Sequence, residues 1–158
     1  MIPQSGSVAV LPPYGPVRIS GVETLIVCGE PDAFLVLALD QWLLRLPMSK
    51  LDVAGFRAVS SHADLAAAFR VLRSRPKPQR PWSGRQGTYE AALRRGSLVD
   101  VALVVRDLHP VHEPGTERYR LYGTALDWLI RETATIEGSS LAAARERILA
   151  TLNGPSSL

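Results

Sequence analysis

Residues able to attack, shuttle protons or bind metals are few in this chain. Its histidines are His62, His109 and His112. None lies in a Gly-x-Ser-x-Gly or related setting, and no nucleophile, base and orienting group assemble into a recognisable set. His109-x-x-His112-Glu113 has the outline of a metal site. Pro110 and Pro114 place it on a loop rather than on one helix face, and a third ligand is not evident, so an exposed loop is expected there. Gly84 and Gly87 flank Arg85, but no Lys-Ser/Thr follows and no strand precedes them, so no phosphate-binding fingerprint is present. No catalysis, metal or cofactor is expected. What remains is Pro81-Trp82-Ser83-Gly84-Arg85, an aromatic at the end of a basic, proline-broken stretch. Two roles are open to Trp82. It can fold back onto a helical core, or it can serve as a wedge or stacking surface at a base step, with cations holding phosphates beside it.

Charge favours a polyanion partner. The chain has 158 residues and a net charge of +3. Residues 1–58 carry −1, residues 59–108 carry +5 and residues 109–158 carry −1. Between Arg70 and Arg95 there are eight basic residues and one acid, Glu90. Such clustering is the electrostatic footprint of a polyanion, although a solvated surface can also look like this. With 46% hydrophobic and 21% charged residues, the composition is that of a globular protein. The apolar runs fall far short of the roughly 20 residues that span a bilayer, and the N-terminus lacks the pattern of a secretory signal. A single cysteine, Cys28, excludes an intramolecular disulfide and fits a reducing cytosol. It is expected as a small buried residue in a strand.

The elements that must position these residues change character near Ser60. Before it, Val8–Leu11, Val17–Val22, Ile26–Val27, Phe34–Leu37 and Trp42–Leu46 are short apolar runs separated by turn chemistry. Gly21 is a bend or bulge, and Gly29-Glu30-Pro31-Asp32 reads as a hairpin turn. After it, the period becomes helical. Ser61 with Asp64 makes an approximate capping box ahead of Leu65, Phe69 and Leu72. Pro76, Pro78 and Pro81 end that helix and leave Arg73–Pro81 as an extended basic linker. A short helix follows with Tyr89 and Leu93 on one face and Gly96 at its end. Ser97 and Asp100 repeat the cap, and Val101, Val104, Val105 and Leu108 form a stripe. Thr116–Glu137 is a longer helix with Tyr122, Leu126, Leu129, Ile130, Thr133 and Ile136 near its inner face. Gly138 stops it, and a last helix carries Leu141, Ala144, Ile148 and Leu152. The fold class is α+β: a small N-terminal β-barrel over residues 1–58, then an all-helical bundle of about five helices over residues 59–158.

Several of these segments match in order and spacing: Pro12–Gly15, Gly29-Glu30, Phe34–Leu37 and Arg45-Leu46-Pro47 in the first part. Phe69–Arg73, Trp82-Ser83, Arg85, Val104–Leu108, Leu121-Tyr122, Ala125–Asp127 and Glu137-Gly138 continue the match. On these residues the chain resembles the CarD/CdnL family of bacterial RNA-polymerase-binding transcription regulators. The resemblance implies a Tudor/SH3-like domain that binds the polymerase β subunit, with Arg45, Leu25 and Val27 at the contact. It also implies a helical domain that binds promoter DNA through the minor groove, largely independently of sequence. Trp82 is then a wedge at the upstream edge of the bubble that stabilises the open complex, flanked by Ser83 and Arg85. The setting is the cytoplasm, at the nucleoid. Leu25 stands where relatives usually have a basic residue. Gly84, Gln86 and Gly87 interrupt the usual cationic and aromatic run. The linker cations Arg73, Arg75, Lys77 and Arg80 are placed to supply charge in its stead. The alternative is a polymerase-binding module with weak or no DNA binding.

Overall fold

In the first third of the chain, short runs rich in aliphatic and β-branched residues are separated by short turns, and the backbone follows suit. A computed structural model describes residues 5–75, 85–110 and 113–154. The chain divides into two compact units, residues 1–59 and 60–158.

The first unit is an antiparallel sheet of β1 (Val8–Leu11), β2 (Gly15–Val27), β3 (Glu30–Leu39), β4 (Trp42–Pro47) and β5 (Arg57–Ala58), in the order β4-β3-β2-β1-β5. Ala9, Leu11, Val17, Ile19, Leu35 and Leu37 form its buried core. Met48, Leu51, Ala54 and Phe56, in and after a single 3-10 turn at Met48–Lys50, pack against that core from the segment between β4 and β5. This is the Tudor-like architecture. The β2–β3 register shifts between Ile19 and Gly21, the bulge expected at the glycine.

Two expectations in this unit need correction. The turn between β2 and β3 is not Gly29–Asp32. Val27 pairs with Glu30, so the loop is Cys28-Gly29 alone, and β3 starts at Glu30. Cys28 is not a buried strand residue either. It is exposed, with φ 53°, next to Gly29 at φ 82°. A two-residue hairpin loop with both φ values positive is the turn whose twist matches its strands. The 13-residue β2 also runs beyond the core, so its distal half is exposed on both faces. An apolar run in sequence therefore does not imply burial there.

The second unit contains α1 (His62–Arg73), α2 (Gln86–Arg95), α3 (Leu98–Leu108), α4 (Glu117–Glu137) and α5 (Leu141–Asn153). Its helix ends follow from local chemistry. Ser61 and Asp64 form a reciprocal capping box. Ser97, Thr116 and Ser140 each accept from a backbone N–H in the first turn of their helices. Gly96 and Gly138 close α2 and α4 in the left-handed conformation, which costs glycine no Cβ clash. α3 is the centre of the unit and packs against α1, α2 and α4. Its Val101, Ala102, Val104 and Val105 are fully buried.

The buried face of α4 includes more than the apolar stripe. Trp128 and Glu132 are both fully buried, as is Thr133. Glu132 Oε1 accepts from Trp128 Nε1 at 2.9 Å, and Oε2 accepts from the Ser60 backbone N–H at 2.8 Å. The first residue of the helical unit is thus tied to the C-terminal half of its longest helix. Of the apolar residues that mark α5, Leu141 is exposed, and Ala144 and Ile148 are buried. Among the described residues, no helix is long and apolar enough to cross a membrane.

Candidate functional site

The basic stretch leaves α1 at Ser74 and re-enters helix at Arg85. Lys77, Arg80, Trp82 and Ser83, four of the five residues expected at DNA, lie outside the described residues. Arg85 is described, and so is the frame on either side of the stretch. That frame is a continuous polar chain on α3.

Asp107 is its centre. Arg106 Nε donates to Asp107 Oδ1 at 2.9 Å, and the guanidinium and carboxylate form a largely buried ion pair. Arg106 Nη1 donates to Ser74 Oγ at 2.7 Å. Ser74 in turn gives its one hydroxyl proton to Val71 O at 2.6 Å, which leaves oxygen lone pairs for Arg106. On the other side, the Tyr89 hydroxyl donates to Asp107 Oδ2 at 3.1 Å. Arg85 Nη1 donates to Tyr89 Oη at 3.2 Å, and the Arg85 guanidinium lies 5.9 Å from the Tyr89 ring centroid. Each hydroxyl can accept from its arginine because its single proton is committed elsewhere, Ser74 to Val71 and Tyr89 to Asp107. Burial pushes the Tyr89 phenol above its ordinary pKa; the Arg85 hydrogen bond opposes this and Asp107 reinforces it. Tyr89 is therefore a neutral donor well beyond physiological pH.

The elements explain why these side chains meet. Arg106 and Asp107 occupy the last turn of α3, beside its buried Val104, Val105 and Leu108. Tyr89 is buried one turn into α2, and Ser74 is the C-cap of α1. Residues of α2 and α3 thus meet at the Asp107 carboxylate, and Arg106 links it to the end of α1. The sequence placed Tyr89 on an inner face without revealing the use of its hydroxyl. The neighbours Arg106-Asp107 were legible only as charges beside an apolar stripe.

The sheet unit carries a second set of expected residues. Arg45 pairs with Val36, and Val36 with Gly21. Steps of two along β2 bring Glu23, Leu25 and Val27 onto that same face. The same register puts Leu43, opposite Ala38, there too. Arg45, Leu25 and Val27 therefore share one face of the sheet, opposite the core cluster. Leu25 and Val27 are 38% and 43% exposed, and Leu43 is 56% exposed. Arg45 Nε donates to Glu23 Oε1 at 2.9 Å. That bond and the adjacent negative charge raise the Arg45 pKa above its ordinary value. Both partners are exposed, so the pair orients Arg45 more than it stabilises the fold. Glu23 and Leu43 did not stand out in the sequence. Only the strand register brings them beside Arg45.

Of the histidine motif, His109 and Glu113 are described. His109 Nδ1 lies 2.7 Å from Tyr122 Oη, and Nε2 lies 2.8 Å from Asn153 Oδ1, so both ring nitrogens have partners. His112 lies outside the described residues. Among the described residues, no group of three His, Cys, Asp or Glu side chains could hold a metal ion.

A Tudor-like sheet followed by a helical unit that carries the chain's basic stretch makes a two-module α+β protein. The family model described as CarD, C-terminal domain, matches residues 67–149, more than half of the chain. The chain belongs to the CarD family, a family of transcription regulators. None of the curated proteins matches it significantly.

Proposed function

We propose that the chain tethers itself to RNA polymerase through the sheet unit and stabilises the open promoter complex through the helical unit. The sheet face of Arg45, Leu25 and Val27 docks on the β subunit. Trp82 enters the minor groove at the upstream edge of the bubble, with Ser83, Arg85, Arg80 and Lys77 on neighbouring sugars and phosphates. The observation that carries this reading is that both ends of the basic stretch are linked to α3, Ser74 by Arg106 and Arg85 through Tyr89 to Asp107. A wedge acts only if its base is held, because a loose loop loses binding energy to ordering.

The energetics are those of linkage. A protein that binds melted or bent promoter better than closed duplex shifts the equilibrium by the difference in its affinities. Tethering raises the local concentration of the helical unit, so modest DNA affinity suffices. A second reading, a polymerase-binding module with little DNA contact, is favoured by exposed apolar side chains on the sheet unit. Ile26 is 70% exposed and Trp42 76% exposed, as suits a protein partner.

The test is open-complex lifetime at a weak promoter with the wild-type chain, Trp82→Ala and Arg45→Glu. The wild type should lengthen the lifetime, and both variants should return it toward that of polymerase alone. Full activity in Trp82→Ala would remove the wedge and leave the second reading. Full activity in Arg45→Glu would remove the docking face.

A further inference from the structure

We propose that Asp107 is a positioning residue for nucleic-acid binding, which acts on Arg85 through the Tyr89 hydroxyl without touching the ligand. The inference rests on the reading of Arg85 as a phosphate contact. It adds a specific source for that contact's geometry.

A phenol has one proton. Asp107 Oδ2 accepts it at 3.1 Å, which turns the lone pairs of Tyr89 Oη towards the Arg85 guanidinium 3.2 Å away. A guanidinium is donor-only, so it can approach that hydroxyl only when the proton points elsewhere. Tyr89 is 2% exposed and cannot turn away. Asp107 is in turn fixed by Arg106, whose Nη1 also holds Ser74. One carboxylate therefore helps to orient Arg85 and, through Arg106, ties in the opposite end of the ten-residue stretch between Ser74 and Arg85. An arginine held in advance gives up less side-chain freedom when a phosphate arrives. This matters more in a chain where Gly84, Gln86 and Gly87 surround Arg85 and offer no other cation.

Asp107→Asn separates positioning from simple electrostatics. The change removes a negative charge near the proposed phosphate path, so long-range electrostatics alone predict tighter binding. The relay predicts weaker binding. With its amide nitrogen facing Tyr89, the asparagine donates to the phenol and drives the phenolic proton towards Arg85. With its oxygen facing Tyr89, the amide nitrogen meets the donor-only Arg106. Tyr89→Phe tests the same link more gently. It deletes one oxygen and keeps both the ring under Arg85 and the Arg106–Asp107 pair.

The experiment measures affinity of the full chain for a short fluorescent duplex with a forked end, over a range of potassium chloride concentrations. The variants are Asp107→Asn, Tyr89→Phe, Arg85→Ala, Trp82→Ala and the double variant Tyr89→Phe/Arg85→Ala. Arg85→Ala should weaken binding and reduce the salt slope by about one, as expected for one lost phosphate contact. Tyr89→Phe and Asp107→Asn should weaken binding about three- to tenfold, in the range of one hydrogen bond. Tyr89→Phe should leave the slope unchanged, because the Arg85 charge is still present. The double variant should bind no worse than Arg85→Ala alone. Equal or tighter binding by a folded Asp107→Asn, or losses from Tyr89→Phe that add to those of Arg85→Ala, would overturn the proposal and leave the DNA reading standing. If Asp107→Asn does not fold, Tyr89→Phe and its cycle decide the question alone. Unaltered binding by both Trp82→Ala and Arg85→Ala would overturn the DNA reading itself, and the proposal with it.

Discussion

At the scale of single residues, the helical unit depends on two carboxylates that do different work. Asp107 sits among hydroxyls and guanidiniums at a helix end. Glu132 sits in the dry interior of α4 and holds two N–H donors, the Trp128 indole and the Ser60 backbone. Both donors would lose this acceptor without it. Glu132→Ala should therefore destabilise the helical unit by roughly 3 kcal/mol, the cost of leaving buried polar groups unmade. Urea denaturation followed by far-ultraviolet circular dichroism measures this. Glu132→Gln should recover only part of the loss, because a carboxamide has one acceptor oxygen to offer two donors. Neither carboxylate could be singled out beforehand. A buried acid looks the same in sequence as an exposed one on the polar face of an amphipathic helix, and what reveals it is the donor it meets across the fold.

At the scale of elements, helix boundaries were the most legible part of the chain, since a cap is a local event. Ser61 with Asp64, Ser97 with Asp100, Gly96 and Gly138 were readable from spacing, and each does what its chemistry demands. The β2–β3 turn was misread because Gly-Glu-Pro-Asp looks like a turn in isolation. Pairing along a long ladder moved the loop to Cys28-Gly29. The left-handed φ at Cys28 leads to a prediction: asparagine adopts this conformation more easily and is favoured ahead of glycine in such loops. Cys28→Asn should stabilise the sheet unit by about 0.5 kcal/mol, seen as a small rise in its melting temperature. A fall would mean that the cysteine side chain contributes contacts that matter more than the backbone preference.

At the scale of the whole molecule, the chain divides into two compact units between residues 59 and 60. Each unit closes its own core, so residues 60–158 should fold when expressed alone. A cooperative melt with a helical circular dichroism spectrum would bear this out, and a broad non-cooperative melt would contradict it. The positive charge of the middle third was also visible in sequence, but its frame on α3 was not. Bonds from Ser74 to Arg106 and from Tyr89 to Asp107 join residues 32 and 18 positions apart. The burial of Trp128 has a practical consequence. Its indole is dry and hydrogen-bonded to a carboxylate, whereas Trp42 in the sheet unit is 76% exposed. The two should emit at opposite ends of the tryptophan fluorescence range, and iodide should quench Trp42 while sparing Trp128. In a Trp82→Phe background, the chain thus carries one intrinsic optical reporter for each unit, and partner docking on the sheet can be followed separately from events in the helices without attaching a dye.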